Sequence, residues 1–277
     1  AQVSAERIQE ILDAEPMIKN PEQGITETNN EGTLEFENVT FVYPDGEEPV
    51  IKNVSFSAKK GETIAFIGST GSGKSTLINL IPRFYDVTEG SIRIDGIDVR
   101  KFNLKALRKK IGFIRQKNLL FTGTIKSNIK FGKPNATHDE VENSAKIAQA
   151  YDFITTKEKG FDEPISEGGS NVSGGQKQRL SIARALVRKS EIYIFDDSFS
   201  ALDFKTDAIL RKALKKETKD AIVLIVAQRI GSIMDADKII VLDEGKVVGV
   251  GKHKELLSTC NVYHEIALSQ LTEEELA

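Results

Sequence analysis

Nine consecutive residues constrain this chain more than any others: Gly68-Ser69-Thr70-Gly71-Ser72-Gly73-Lys74-Ser75-Thr76. They fit the pattern G-x-x-x-x-G-K-[ST]. The apolar run Thr63 to Ile67 precedes them and reads as a buried strand, and Thr76 to Phe84 reads as a helix. That strand–loop–helix context turns a pattern match into a phosphate-binding site. Glycines let the loop fold back so that successive backbone N–H groups point inward. The helix N-terminus adds a partial positive charge and Lys74 a full one. Ser75 is suited to place its hydroxyl on a Mg²⁺ ion. The competing reading is a Gly/Ser-rich turn with a chance lysine, and the flanking strand and helix argue against it.

At 277 residues the chain is long enough to bury a full core, as one large domain or a domain with a lobe. Hydrophobic residues make up 39% and charged residues 29%, which is a globular balance. A net charge of -3 argues against a nucleic-acid-coating role, so no nucleic acid is expected as partner. The single cysteine, Cys260, excludes an intramolecular disulfide framework. No apolar run approaches a membrane span and no secretory signal pattern is present. The Asn-x-Ser/Thr triplets at Asn53, Asn135 and Asn171 are therefore read as chance. A first residue other than methionine reads as processing or as a piece of a longer protein.

Along the chain, Ala1 to Ala14 carries apolar residues at helical spacing and Pro16 ends it. Glu15 to Glu31 is polar and reads as a linker, so residues 1–31 form a leader and the globular unit is expected over 32–277. Leu34 to Val42 and Asn53 to Ala58 alternate as strands, followed by short strands at Ser91 to Asp95 and Ile111 to Ile114. A helical segment of about 118–188 follows, with helices expected at Thr124 to Ile129, His138 to Ala150 and Gly175 to Val187. Ile192 to Phe195, Ala221 to Val226 and Lys238 to Leu242 are apolar runs of the kind covered on both faces. Gly245 to Gly251 reads as a final hairpin, and Glu273 to Glu275 as a solvated tail. The order predicts a mixed α/β core with a helical lobe inserted between the phosphate loop and a later carboxylate-bearing strand.

A second constellation selects among the many phosphate-loop proteins. Ser173-Gly174-Gly175-Gln176-Lys177-Gln178-Arg179 opens a predicted helix, so its hydroxyl and N–H groups form a second anion-facing terminus. With this motif in place the chain resembles the ATP-binding cassette family, over nearly its whole length and with the motifs in order. The resemblance implies a RecA-like P-loop NTPase core, an antiparallel β subdomain and an inserted helical subdomain, with ATP and Mg²⁺ as cofactors. It implies that Tyr43 stacks on adenine and that residues Gly68 to Thr76 hold the phosphates. Mg²⁺ would be held by Ser75, Asp196 and Gln116, where Gln116 also relays to the membrane partner. Ser173, Gly174, Gly175 and Gln176 would serve the nucleotide of a facing cassette, and Asp203, in Ser200-Ala201-Leu202-Asp203, would touch that opposite subunit. Ser166-Glu167-Gly168-Gly169 resembles a segment special to exporters. His253, in Gly251-Lys252-His253, matches a family surface motif.

The chain departs from the family at two positions that matter for chemistry. Asp197 stands where the family has the glutamate that polarises the attacking water. Gln228, in Ala227-Gln228-Arg229, stands where the family has a histidine on the γ-phosphate. Aspartate is one methylene shorter, and a base must lie about 2.6–3.2 Å from the proton it takes. Glutamine donates an N–H but carries neither proton nor charge. The catalytic set Asp197, Gln228 and Gln116 is therefore expected to bind MgATP well and hydrolyse it slowly. The signature is intact apart from Val172, where leucine is common. That combination implies a second cassette, a different subunit bearing the glutamate and histidine; a homodimer with a slow base is the alternative. Arg115 and Lys117 flank Gln116 where exporters often carry proline and an acid, so the coupling surface is expected to differ.

Ser4 to Asp13 resembles the segment following the last membrane helix of fused exporters, and Thr122 to Ile129 resembles exporter cassettes. The resemblance thus implies transmembrane domains encoded upstream in the same chain and a location at the cytoplasmic face of the membrane. A stand-alone importer cassette would lack the leader. A soluble DNA-repair or ribosome-associated ATPase would show a coiled-coil insert or tandem cassettes.

Overall fold

The computed structural model describes residues 2–271, and the acidic end Glu273 to Glu275 lies outside them. Twelve strands and ten α-helices are described. The strands are β1 (Thr33–Phe41), β2 (Ile51–Lys59), β3 (Thr63–Ile67), β4 (Glu89–Ile94), β5 (Ile97–Asp98), β6 (Ile111–Ile114), β7 (Gly123–Thr124), β8 (Pro164–Ile165), β9 (Ile192–Asp196), β10 (Ile222–Val226), β11 (Lys238–Asp243) and β12 (Lys246–Gly251). The helices are α1 (Gln2–Asp13), α2 (Lys74–Leu80), α3 (Leu104–Lys109), α4 (Ile125–Lys130), α5 (His138–Ile147), α6 (Tyr151–Thr155), α7 (Gly174–Leu186), α8 (Phe204–Glu217), α9 (His253–Thr259) and α10 (Asn261–Leu268).

A six-stranded sheet, ordered β12-β11-β3-β10-β9-β6, forms the centre, with β12 antiparallel and the rest parallel. Its inner strands are apolar on both faces because both are covered. Ile64, Phe66, Ile194 and Leu224 face α2 and a four-stranded antiparallel sheet, β2-β1-β4-β5. Their neighbours Ala65, Ile67, Phe195 and Ile225 face the helices on the other side, including α7 and α8. The period of two along each strand sorts the side chains into these two cores. The parallel register brings the C-terminal ends of β3, β9 and β10 to one edge, which is where ligands settle in open α/β sheets.

Between β6 and β9 the chain runs through α4 to α7. Capping boxes start α4 at Thr124, α5 at Thr137 and α7 at Ser173. Each satisfies N–H groups that would otherwise be orphaned at a helix start.

Several expectations need correction. The phosphate-loop helix ends at Leu80 rather than Phe84. Helices α3, α6, α8, α9 and α10 were not anticipated. The polar leader is not free beyond Asn20. The Asn20 side chain accepts from the Leu104 N–H at 2.8 Å, and Ile25 exchanges backbone bonds with Lys101 and Asn103. Thr28 donates to Asp95 at 2.5 Å, and the Asn30 side chain accepts from Lys110 at 2.9 Å. His253, expected on the surface, is buried with its Nδ1 2.7 Å from the Tyr263 hydroxyl.

Candidate nucleotide site

The loop after β3 is built around two glycines that admit no side chain. A Cβ on Gly68 would stand 2.0 Å from the Leu242 carbonyl oxygen. Gly73 has φ +97°, and its Cβ would meet Ile51 at 2.7 Å. Only glycine combines that backbone with that closeness. The Lys74 ammonium folds back into the loop, donating to the Gly68 carbonyl (2.9 Å), the Ser69 carbonyl (2.7 Å) and the Ser72 hydroxyl (3.1 Å). The loop's own oxygens thus hold the ammonium inside the loop. Burial holds the Lys74 ammonium below its ordinary value, against the opposing pull of Asp196 and Asp197.

Across the loop, at the end of β9, the Ser75 hydroxyl donates to Asp196 at 3.1 Å. A hydroxyl and a carboxylate so paired are the hard oxygen donors that Mg²⁺ takes alongside phosphate and water. Among the described residues no group of three or more His, Cys, Asp or Glu side chains could hold a metal by itself. Burial, helped by the like charge of Asp197, pushes the Asp196 carboxyl above its ordinary value, and the Ser75 hydrogen bond and cationic Lys74 and Arg115 oppose the rise.

Asp197 sits in the left-handed region at φ 47°, which aspartate tolerates better than most residues. Its N–H donates to the Val226 carbonyl at 2.9 Å, and the Ser200 hydroxyl donates to its carbonyl at 3.0 Å. Two side-chain amides then converge on one carboxylate oxygen. Gln116, just beyond β6, and Gln228, just beyond β10, each donate to Asp197 Oδ2 at 3.0 Å. Burial raises the Asp197 carboxyl above its ordinary value, although the Gln116 bond, Arg229 and Lys74 pull the other way. The three residues expected to act at the terminal phosphate are thus brought together.

Tyr43 also lies at this edge. Its hydroxyl is 2.9 Å from the Thr76 hydroxyl, and Phe41 and Tyr85 meet its ring edge-on at 4.8 and 5.2 Å. The ring is therefore fixed in orientation. Ser173 and Gln176 form a separate patch, where they cap α7 reciprocally at 3.3 and 3.1 Å. Gly174 is exposed. A Cβ on Gly175 would lie 3.3 Å from the Ala201 carbonyl, so the signature packs on the loop ending at Asp203. Asp203 itself caps α8 through the Thr206 N–H at 2.9 Å.

Sequence reasoning missed Ser198 and gave no role to Arg229. Ser198 is fully buried, and its hydroxyl ties β9 to β6 by donating to the Ile114 carbonyl at 3.0 Å. A serine in a polar loop carries no signal of such a cross-strand role. Arg229 was adjacent to a flagged position, and its charge bears on Asp197.

The family profile described as ABC transporter matches residues 51–200, more than half of the chain. The chain belongs to the ABC transporter family. It is 44% identical over 257 residues to a putative multidrug export ATP-binding/permease protein of Staphylococcus aureus strain NCTC 8325, covering 93% of this chain and 44% of that protein. A protein of the same description from the bovine strain RF122 matches at the same identity and coverage. The solved structure of a bacterial Atm1-family ABC exporter with ATP bound superposes with a TM-score of 0.92 at 33% identity, covering 98% of this chain and 48% of that one. The fold is thus the ABC cassette. The chain spans less than half the length of these relatives. No described helix is long and apolar enough to cross a membrane.

Proposed function

We propose that this chain is the ATP-binding cassette of a membrane exporter. Its own site holds MgATP and hydrolyses it slowly, while its signature completes the site of a different, faster cassette. The relatives pair an ATP-binding part with a permease part, which supports a membrane-spanning half for this cassette at the cytoplasmic face. Lys74 and the N–H groups of residues 69–76 would bind the phosphates, and Tyr43 would offer its fixed ring to the base. Ser75, Asp196 and Gln116 would hold Mg²⁺, whose chemistry is to neutralise phosphate charge.

The observation that carries the slow-site reading is the arrangement around Asp197. Its carboxylate, one methylene short of the family's base, is engaged by two amides and has no imidazole beside it. Gln228 donates a hydrogen bond but moves no proton. A misplacement of about 1 Å costs on the order of 10²-fold in rate. The signature residues Ser173, Gly174, Gly175 and Gln176 are all retained and stand at the start of α7, which supports a role toward a partner's site. Binding of ATP at both composite sites would close two cassettes together, and the slow site would keep them joined between turnovers. Mixing experiments test this. Adding a cassette that carries glutamate and histidine at the equivalent positions should raise ATP turnover well beyond the sum of the separate proteins. Purely additive rates would leave the homodimer reading in its place.

A further inference from the structure

The far end of the described chain reaches back to the nucleotide site. Gln270 lies just beyond α10, and its side chain brackets the backbone on both sides of Arg229. Its amide nitrogen donates to the Gln228 carbonyl at 2.8 Å, and its amide oxygen accepts from the Ile230 N–H at 2.8 Å. An amide carries a donor and an acceptor in one rigid plane, so a single side chain answers both groups. A carboxylate would answer only the N–H, and an aliphatic side chain neither. Ile230 is fully buried, so its N–H is cut off from water and needs a protein partner.

Gln270 is not required to finish its own helix. The backbone N–H groups of Gln270 and Leu271 already donate to the Ala267 carbonyl at 3.0 and 2.9 Å. The base of the contact is firmly seated, because Tyr263 and Ala267 of α10 are fully buried. The loop it holds is not fixed by packing. Gln228 and Arg229 are exposed, and a cavity of about 220 Å³ opens beside them, lined in part by Asp197, Ser200 and Ser232. Next to that space the Gln228 side chain must still reach Asp197 Oδ2 at 3.0 Å. Arg211 ties down the far end of the loop by donating to the Gly231 carbonyl at 2.9 Å. Gln270 ties down the near end, at the residue whose side chain meets Asp197.

We infer that Gln270 is a positioning residue of the nucleotide site: its amide clamps the backbone from Gln228 to Ile230 so that the Gln228 side chain stays on Asp197 and faces the γ-phosphate. The inference rests on the proposed role of Gln228 at that phosphate. Gln270 acts through Gln228 rather than on the nucleotide, and the end of the cassette thereby bears on how long ATP is kept at the slow site. ATP has a γ-phosphate and ADP has none. Releasing the clamp should therefore weaken ATP and spare ADP.

The test uses the assembled exporter in membranes. Azido-ADP labels this chain on irradiation, and the concentrations of MgATP and of MgADP that halve the labelling are compared. Gln270→Leu removes both bonds and should raise the MgATP concentration about five- to tenfold, the worth of one hydrogen bond, with MgADP unchanged. Gln270→Glu keeps the bond from Ile230 but sets a carboxylate against the Gln228 carbonyl, and should have a similar effect. Gln228→Ala should show the same selective loss, and combining it with Gln270→Leu should add nothing further. A parallel loss of both nucleotides would make Gln270 a merely structural residue and overturn the inference, as would unchanged competition by MgATP. A Gln270 effect that adds to that of Gln228→Ala overturns it too, because the clamp would then act by another route. In each of these cases a selective loss in Gln228→Ala alone leaves the reading of Gln228 standing. If Gln228→Ala spares MgATP, the γ-phosphate role of Gln228 falls, and the inference falls with it.

Discussion

Replacing Asp197 by glutamate and Gln228 by histidine together should convert the slow site into a fast one. The magnitude follows from the geometry. Asp197 Oδ2 is fixed by two amide donors at 3.0 Å, so the carboxylate cannot swing forward without losing both. Glutamate extends the carboxylate by one methylene, a gain in reach of more than about 1 Å, which is worth on the order of 10²-fold in rate. Histidine replaces one of the two amides and adds a group able to carry charge at the γ-phosphate end. General base placement contributes about 10²–10⁴-fold in enzymes, so the double variant should gain at least about 10²-fold in single-turnover hydrolysis. Gln228→His alone should gain little, because the base would still fall short, and the two effects should not add. The assay is single-turnover phosphate release from the assembled complex, with the partner's catalytic glutamate changed to glutamine so that only this site reports. MgATP affinity must be measured alongside. A gain below about threefold with binding intact would refute the reach argument.

Two further predictions concern stability and loop shape. Asp95 is driven up by burial, yet the Thr28 hydroxyl, the Gly32 and Thr33 N–H groups and Lys110 outweigh that and hold it below its ordinary value of 3.8. Its contribution is therefore present above that value and lost as pH falls through the lowered one. Asp95→Asn should cost about 1–3 kcal/mol in urea unfolding at neutral pH and progressively less as the pH is lowered below 3.8; a cost that does not shrink with falling pH would contradict the network. Gly68→Ala should lower the melting temperature and abolish MgATP binding, because its methyl would stand 2.0 Å from the Leu242 carbonyl; unchanged titration and melting curves would contradict the close approach.

The central sheet was legible because its strands are short apolar runs bounded by turn residues, and because the phosphate loop ties β3 to a helix. Helices α3 and α8 were not. In Phe204–Glu217 five of fourteen residues are lysine or arginine, which masks the apolar stripe of Leu210 and Leu214. The leader from Asn20 onward read as free because its anchors are single polar atoms, such as the Asp95 carboxylate 67 residues from Thr28. The identities of the site residues were readable, but their mutual bonds were not. Gln116 and Asp197 are 81 residues apart, and no local pattern announces that they share a hydrogen bond. His253 misled because its burial depends on Tyr263, in the following helix.

The most direct measurement is of this chain by itself, with MgATP binding and phosphate release followed on the same sample. The account predicts saturable nucleotide binding with release so slow that most bound nucleotide is recovered as ATP. Brisk steady-state release, abolished by Asp197→Asn, would show two like pockets splitting ATP unaided and would contradict the claim of a site that grips without cutting.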